Sequence, residues 1–132
     1  MTCVLVTGGS GFIGQHLVAT LVASGRQTRV LDLRPPGRAV ANAQYIKGSV
    51  LDRELVDQAL DGVDEVYHLA GLPGMWVAHK DDFHAVNCRG TEVVISGARE
   101  RGVTRFLHCS TESILFRSSP AGGHVADTLL TA

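Results

Sequence analysis

The sequence predicts an α/β fold, a doubly wound parallel sheet with strand order 3-2-1-4-5. Three observations lead there. Short β-branched runs alternate with segments whose apolar residues recur at helical spacing. The connections between successive strands are long enough for crossovers that leave the strands parallel. A glycine-rich turn joins the first strand directly to the first helix.

The elements follow in order. Cys3 to Thr7 (CVLVT) is a short apolar run suited to a strand covered on both faces. After Gly8-Gly9-Ser10-Gly11, the apolar residues Phe12, Ile13, Leu17, Leu21 and Val22 mark a helix to Ala23, which Ser24-Gly25 ends. Thr28 to Leu33 reads as the second strand, stopped by Pro35-Pro36-Gly37. Tyr45 to Gly48 is the third strand, on the edge side. Asp52 is placed to cap a helix carrying Leu55, Val56, Ala59 and Leu60. Val63 to Ala70 holds the fourth strand. Asp81 to Arg101 reads as the longest helix, with Phe83, Val86, Val93, Val94 and Ala98 inward and Gly102 closing it. Thr104 to Cys109 is the fifth strand. Nothing remains for a sixth, so the chain is expected to be truncated before the outer strands of such a sheet.

Composition narrows the function. A length of 132 residues allows one domain with one core, and 45% hydrophobic with 19% charged residues fits a folded chain. The formal net charge is −1, with Lys and Arg scattered. No field or basic arm recruits nucleic acid, and no apolar stretch is long enough to span a bilayer. Cys3, Cys88 and Cys109 lack metal-ligand spacing. Cys3 and Cys109 sit in apolar runs, where a thiol behaves as a small buried hydrophobe. All three read as reduced, which predicts a cytoplasmic setting.

The turn from Thr7 to Gly14 (TGGSGFIG) carries the chemistry. Gly8, Gly11 and Gly14 give one glycine register, and Gly9, Gly11 and Gly14 a second. In either, the backbone turns sharply and meets a pyrophosphate with no Cβ between, while the last glycine lets helix and strand pack closely. The first helical N–H groups, near Phe12 and Ile13, then point at the phosphates. Asp32, at the end of the second strand, stands where a carboxylate accepts hydrogen bonds from both ribose hydroxyls and repels a 2′-phosphate. That favours NAD over NADP. Arg34 leaves two alternatives open, a grip on phosphate or a flat contact with adenine. The plainer reading makes the glycines a tight turn and Asp32 a surface charge.

These residues, with Gly48-Ser49-Val50-Leu51-Asp52, His68-Leu69-Ala70-Gly71, Val86 to Thr91 (VNCRGT) and Cys109-Ser110-Thr111, resemble the extended short-chain dehydrogenase/reductases, the NAD-dependent epimerase/dehydratase family. The likeness covers Cys3 to about Ser113. It implies a Rossmann-like NAD-binding domain over residues 1–116, with 117–132 an active-site loop or frayed end of the same domain. It also implies individual roles. Ser49 stands where the family usually has an aspartate that bonds the adenine amino group, and Val50 would cover the adenine face. Leu69, Ala70 and Gly71 would lie beneath the nicotinamide-side ribose, and Asn87 would brace the active-site backbone. Thr111 matches the family's catalytic Ser/Thr that holds the substrate oxygen, with Ser110 beside it. For Ser110 and Thr111 the alternative is a polar strand end that caps the next turn.

The family's proton-transfer pair, Tyr-x-x-x-Lys, has no counterpart. The tyrosines are Tyr45 and Tyr67, and four residues on stand Ser49 and Gly71. Thr111 alone is not a general acid and base. The expectation is the cofactor part of an epimerase, dehydratase or reductase that moves hydride at a hydroxyl or carbonyl of a small molecule such as a nucleotide sugar, this chain alone being inactive. The alternative is a catalytically dead NAD sensor or partner-binding module. A homodimer through the long helix fits either. No metal is expected, because His79 and His84 read as surface histidines. Trp76 either stacks on a substrate or packs under a lid.

Overall fold

The five apolar runs form five parallel strands in a computed structural model that describes residues 1–73, 80–111, 117–118 and 124–125. They are β1 (Cys3–Thr7), β2 (Gln27–Asp32), β3 (Ala43–Lys47), β4 (Glu65–His68) and β5 (Arg105–His108). The sheet order is β3-β2-β1-β4-β5, as expected. β1 lies at its centre, and all five of its residues are buried.

Strand alternation sorts the core into two layers. Cys3 and Leu5 of β1, Leu31 of β2 and Val66 of β4 pack with Val56, Ala59 and Leu60 and with Val94 and Ala98. Those partners belong to α2 (Arg53–Ala59) and its end, and to α4 (Gly90–Glu100). Val4, Val6 and Val30 face the other way, onto Val18 and Leu21 of α1 (Phe12–Ala23). Helices thus cover both faces. Each fully buried Val or Leu here contributes roughly 1.5–3 kcal/mol relative to exposure.

The two helix starts contrast. Asp52 accepts a hydrogen bond from the Leu55 N–H at 3.1 Å, and Glu54 adds a second acid to the first turn of α2. α1 begins at Gly11 with no side-chain cap and no acidic residue in its first turn. Its end is conventional, with Gly25 at φ +80°.

Several expectations need correction. The long helix is not uniform. α3 (Lys80–Phe83) runs into a π-helical segment, His84–Arg89, and then into α4. The Gly90 N–H reaches back to the Ala85 carbonyl, five residues away. Phe12 and Ile13 are 79% and 60% exposed, because the first turn of α1 projects past the sheet and the buried positions are Gly14, Val18 and Leu21. Cys3 is buried as expected, but Cys109 is exposed, as is His108. Both belong to β5 or its end, which among the described residues has a neighbouring strand on one side only. In the segment after Phe116, Arg117–Ser118 (β6) and His124–Val125 (β7) pair antiparallel.

Candidate functional site

β1 and β4 are neighbours, and the chain leaves their carboxyl ends toward opposite faces of the sheet. β1 enters α1, while β4 leads to the α3–α4 run. Sheets of this kind bind ligands at such a switch point.

The glycine turn is built against both strands beside it. The Gly8 N–H donates to the Leu31 carbonyl at 2.9 Å, and the Gly11 N–H to the Gly8 carbonyl at 3.1 Å. Gly8 has φ +71°, and a Cβ there would lie 2.7 Å from the Ala70 nitrogen. A Cβ on Gly9 would lie 2.6 Å from Val30 Cγ1, and one on Gly14 would press on the Gly8 carbonyl and Gly9. The turn therefore touches the β4 exit across the switch point. Gly14 lets α1 pack onto the turn itself.

Phe12, Ile13 and Gly14 open α1, so their N–H groups have no carbonyl four residues back within the helix. With no side-chain cap and no acidic residue in its own first turn, this helix end presents the positive end of its dipole. Beside it, Asp32 accepts the Ser10 N–H on one carboxylate oxygen and the Arg34 N–H on the other, each at 3.0 Å. The carboxylate is fixed in place, and lone pairs remain for further donors. Ser10 Oγ is buried and has no hydrogen-bond partner among the described residues. An uncapped helix end, a fixed carboxylate and an orphaned hydroxyl fit a dinucleotide's phosphates and ribose. Sequence reading missed Ser10, although its place inside the glycine motif pointed to it.

Ser49 Oγ accepts the Leu51 N–H at 3.1 Å, which leaves its own proton to give. Val50 follows Ser49. It is 6% exposed, and a Cβ on Gly90 of α4 would lie 2.7 Å from its Cγ2, so its side chain belongs to the core.

The β4 exit is held by a hydrogen-bonded chain that the sequence only hinted at. The Leu69 N–H donates to the Thr7 carbonyl at 3.0 Å and the Ala70 N–H to Thr7 Oγ1 at 3.3 Å. Asn87, in the π-helical segment, accepts the Leu72 N–H at 2.7 Å and donates to the Leu72 carbonyl at 3.1 Å. Its amide uses both functions on one residue's backbone. A Cβ on Gly71 would lie 3.2 Å from Asn87 Oδ1, so a small residue suits this place. Between these anchors sits His68, fully buried. Its Nδ1 is 2.6 Å from Thr7 Oγ1, and its Nε2 is 2.9 Å from Thr91 Oγ1. Register explains the arrangement, since Thr7, His68 and His108 stand side by side across β1, β4 and β5. The rings of His68 and His108 stack at 5.3 Å. Burial, with the nearby His108 adding to it, lowers the His68 pKa to about 4, so the ring is neutral at neutral pH.

Ser110 and Thr111 follow β5, and both are exposed. Beside the β4 and β5 ends lies a cavity of about 220 Å³ lined by Leu17, Tyr67, Leu69, Leu107, His108 and Cys109. Arg34 is exposed. His84 is exposed, while His79 and Trp76 lie outside the described residues. Among the described residues, no helix is long and apolar enough to cross a membrane.

The fold and the glycine turn define a Rossmann-like dinucleotide-binding domain. The chain belongs to the NAD-dependent epimerase/dehydratase family, whose model matches residues 4–125. It is 36% identical over 126 residues to a 2-alkyl-3-oxoalkanoate reductase of Stenotrophomonas maltophilia, a match covering 94% of this chain and 38% of the reductase. A short-chain dehydrogenase/reductase superfamily protein of Agrobacterium tumefaciens, solved with bound NAD, superposes with a TM-score of 0.78 at 34% identity, over 86% of this chain and 34% of that one. MoeE5, solved with UDP-glucuronic acid and NAD, superposes with a TM-score of 0.79 at 30% identity, over 88% and 39%. The chain thus spans little more than a third of these relatives' lengths.

Proposed function

We propose that this chain is the NAD-binding part of an oxidoreductase-type enzyme that moves hydride at a hydroxyl or carbonyl carbon of a small molecule. The observation that carries the reading is Asp32, held by two backbone N–H groups beside the uncapped start of α1. The N–H groups of Phe12 and Ile13 take the pyrophosphate, and Gly8, Gly11 and Gly14 keep Cβ atoms out of its way. Asp32 accepts both adenosine ribose hydroxyls, and Ser10 Oγ finds its partner there. Ser49 Oγ accepts a hydrogen bond from the adenine amino group in place of the family's aspartate, and Val50 lies on the adenine side of the site.

Leu69, Ala70 and Gly71 form the floor of the nicotinamide half, and Asn87 fixes its far end through Leu72. Bound NAD supplies the hydride acceptor or donor. Thr111, with Ser110 beside it, orients the substrate oxygen. Neither Tyr45 nor Tyr67 has a lysine four positions on, so neither is given a proton-transfer role. This chain alone binds cofactor without completing turnover. Nucleotide sugars are the finer substrate reading, supported by the likeness to MoeE5, whose structure holds one.

Calorimetric titration tests the cofactor assignment. The wild-type chain is expected to bind NAD⁺ more tightly than NADP⁺, because the Asp32 carboxylate repels a 2′-phosphate. Asp32→Ala should weaken NAD⁺ roughly tenfold or more, the loss of charge-assisted hydrogen bonds, and narrow the gap to NADP⁺. Equal wild-type affinities for the two cofactors would remove the assignment of Asp32.

A further inference from the structure

Residues 69–72 are tied at two places. Leu69 and Ala70 bond to Thr7 of β1, and Leu72 bonds to Asn87 of the π-helical segment. His68 is the side chain that joins the two anchors, through Thr7 on one ring nitrogen and Thr91 on the other. There is little slack in the assembly, because Ala70 packs against Gly8 with no room for a single added carbon. A shift of the β4 exit is therefore felt in the glycine turn.

Donor counting fixes the proton on His68. Thr91 Oγ1 donates its one proton to the Asn87 carbonyl at 2.8 Å. Toward His68 the same oxygen can only accept, so Nε2 carries the ring proton. The neutral ring then has a bare Nδ1, which accepts the Thr7 hydroxyl proton. Thr7 Oγ1 keeps a lone pair for the Ala70 N–H. Every donor in the chain has an acceptor, and each runs the same way, from Ala70 through Thr7, His68 and Thr91 to the Asn87 carbonyl. Reversing the tautomer would set two acceptors, Nε2 and Thr91 Oγ1, against each other, or else cost Thr91 its bond to the Asn87 carbonyl and leave the Thr7 hydroxyl proton without its acceptor.

We propose that His68, as its neutral Nε2–H tautomer, is a positioning residue that couples the glycine turn to the floor of the nicotinamide half through Thr91 and Asn87. It touches no substrate, and it acts through the backbone of residues 69–72. The proposal rests on the NAD-binding reading given above. It also makes Thr91 the hinge of the network, since that hydroxyl alone sets the direction of the hydrogen bonds.

The test uses the full chain with three readouts: the ¹⁵N resonances of the His68 ring, unfolding midpoints and NAD⁺ affinity. The wild type should show a protonated Nε2 and an unprotonated Nδ1. Thr91→Val keeps the shape and removes the acceptor, so the ring proton should move toward Nδ1. NAD⁺ affinity should fall about tenfold, the effect of one lost buried hydrogen bond relayed to the site. Thr91→Ser should restore both tautomer and affinity, which a packing role for the threonine methyl would not do. A wild-type proton on Nδ1 overturns the proposal, as does unchanged affinity in a folded Thr91→Val chain. Should the valine variant unfold, the wild-type tautomer and the serine variant still decide. Absence of NAD⁺ binding by the wild type would instead defeat the cofactor reading, with the tautomer measurement standing apart from it.

Discussion

Replacing Gly8 with alanine is expected to destabilise the fold by about 3 kcal/mol and to abolish NAD⁺ binding. Two costs add. At φ +71° an L side chain sits in the left-handed region, which costs about 1–2 kcal/mol. The new Cβ would also lie 2.7 Å from the Ala70 nitrogen and 2.8 Å from the Leu69 carbonyl carbon, both backbone atoms. Overpacking of that kind costs about 1–3 kcal/mol, and the atoms in the way are held by Thr7 and His68. Gly25 is the matched control. It has φ +80° and nothing within 4 Å of its would-be Cβ. Gly25→Ala should therefore show the conformational cost alone, about 1 kcal/mol. Urea unfolding of both variants checks this, with the difference in midpoint read at a constant slope. Equal losses at the two sites would mean that the turn does not press on the β4 exit.

Acid is expected to weaken the native state through His68. The ring is fully buried and neutral, with its pKa lowered from 6.5 to about 4. An unfolded chain takes up a proton as pH falls below 6.5, and the native chain does not until about 4. The unfolded state thus binds more protons throughout that window, so stability rises with pH across it and falls as acid is added. Above the window this group has no effect. The full loss on passing through the window is about 3 kcal/mol, a sizeable part of the 5–15 kcal/mol that holds a typical domain together. Unfolding by urea at a series of pH values measures the slope. His68→Asn, which cannot titrate, should lack that part of it. A ring that titrates near 6.5 in the folded wild type, followed by its C–H proton resonances, would contradict the buried network.

The two predictions rest on features of unequal legibility. The turn was plain in the sequence because its signals are local: β1 and α1 have the bounds read from the residues, Asp32 closes β2, and Asp52 caps α2 as its type and place suggest. Crossover lengths made the strands parallel, and the doubly wound fold class supplied their order. The His68 network was not legible, because it depends on which residue of β4 stands beside Thr7, and register between strands 61 residues apart is set by the whole sheet. The π-helical segment was hidden for another reason. Its extra residue leaves the apolar residues of α4 at their usual spacing, so periodicity alone reads one continuous helix. Exposure at Cys109 departs from the expectation because an apolar run says that a strand exists, and not whether it lies at an edge.

The most direct test of the central claim is an amide chemical-shift titration of the full chain with NAD⁺. Saturable shifts are expected at Gly8, Gly11, Phe12, Ile13, Asp32, Ala70 and Gly71, around the carboxyl ends of β1, β2 and β4. Shifts confined to the opposite end of the sheet, near Asp64 and Thr104, or no saturable shifts at all, would contradict the account.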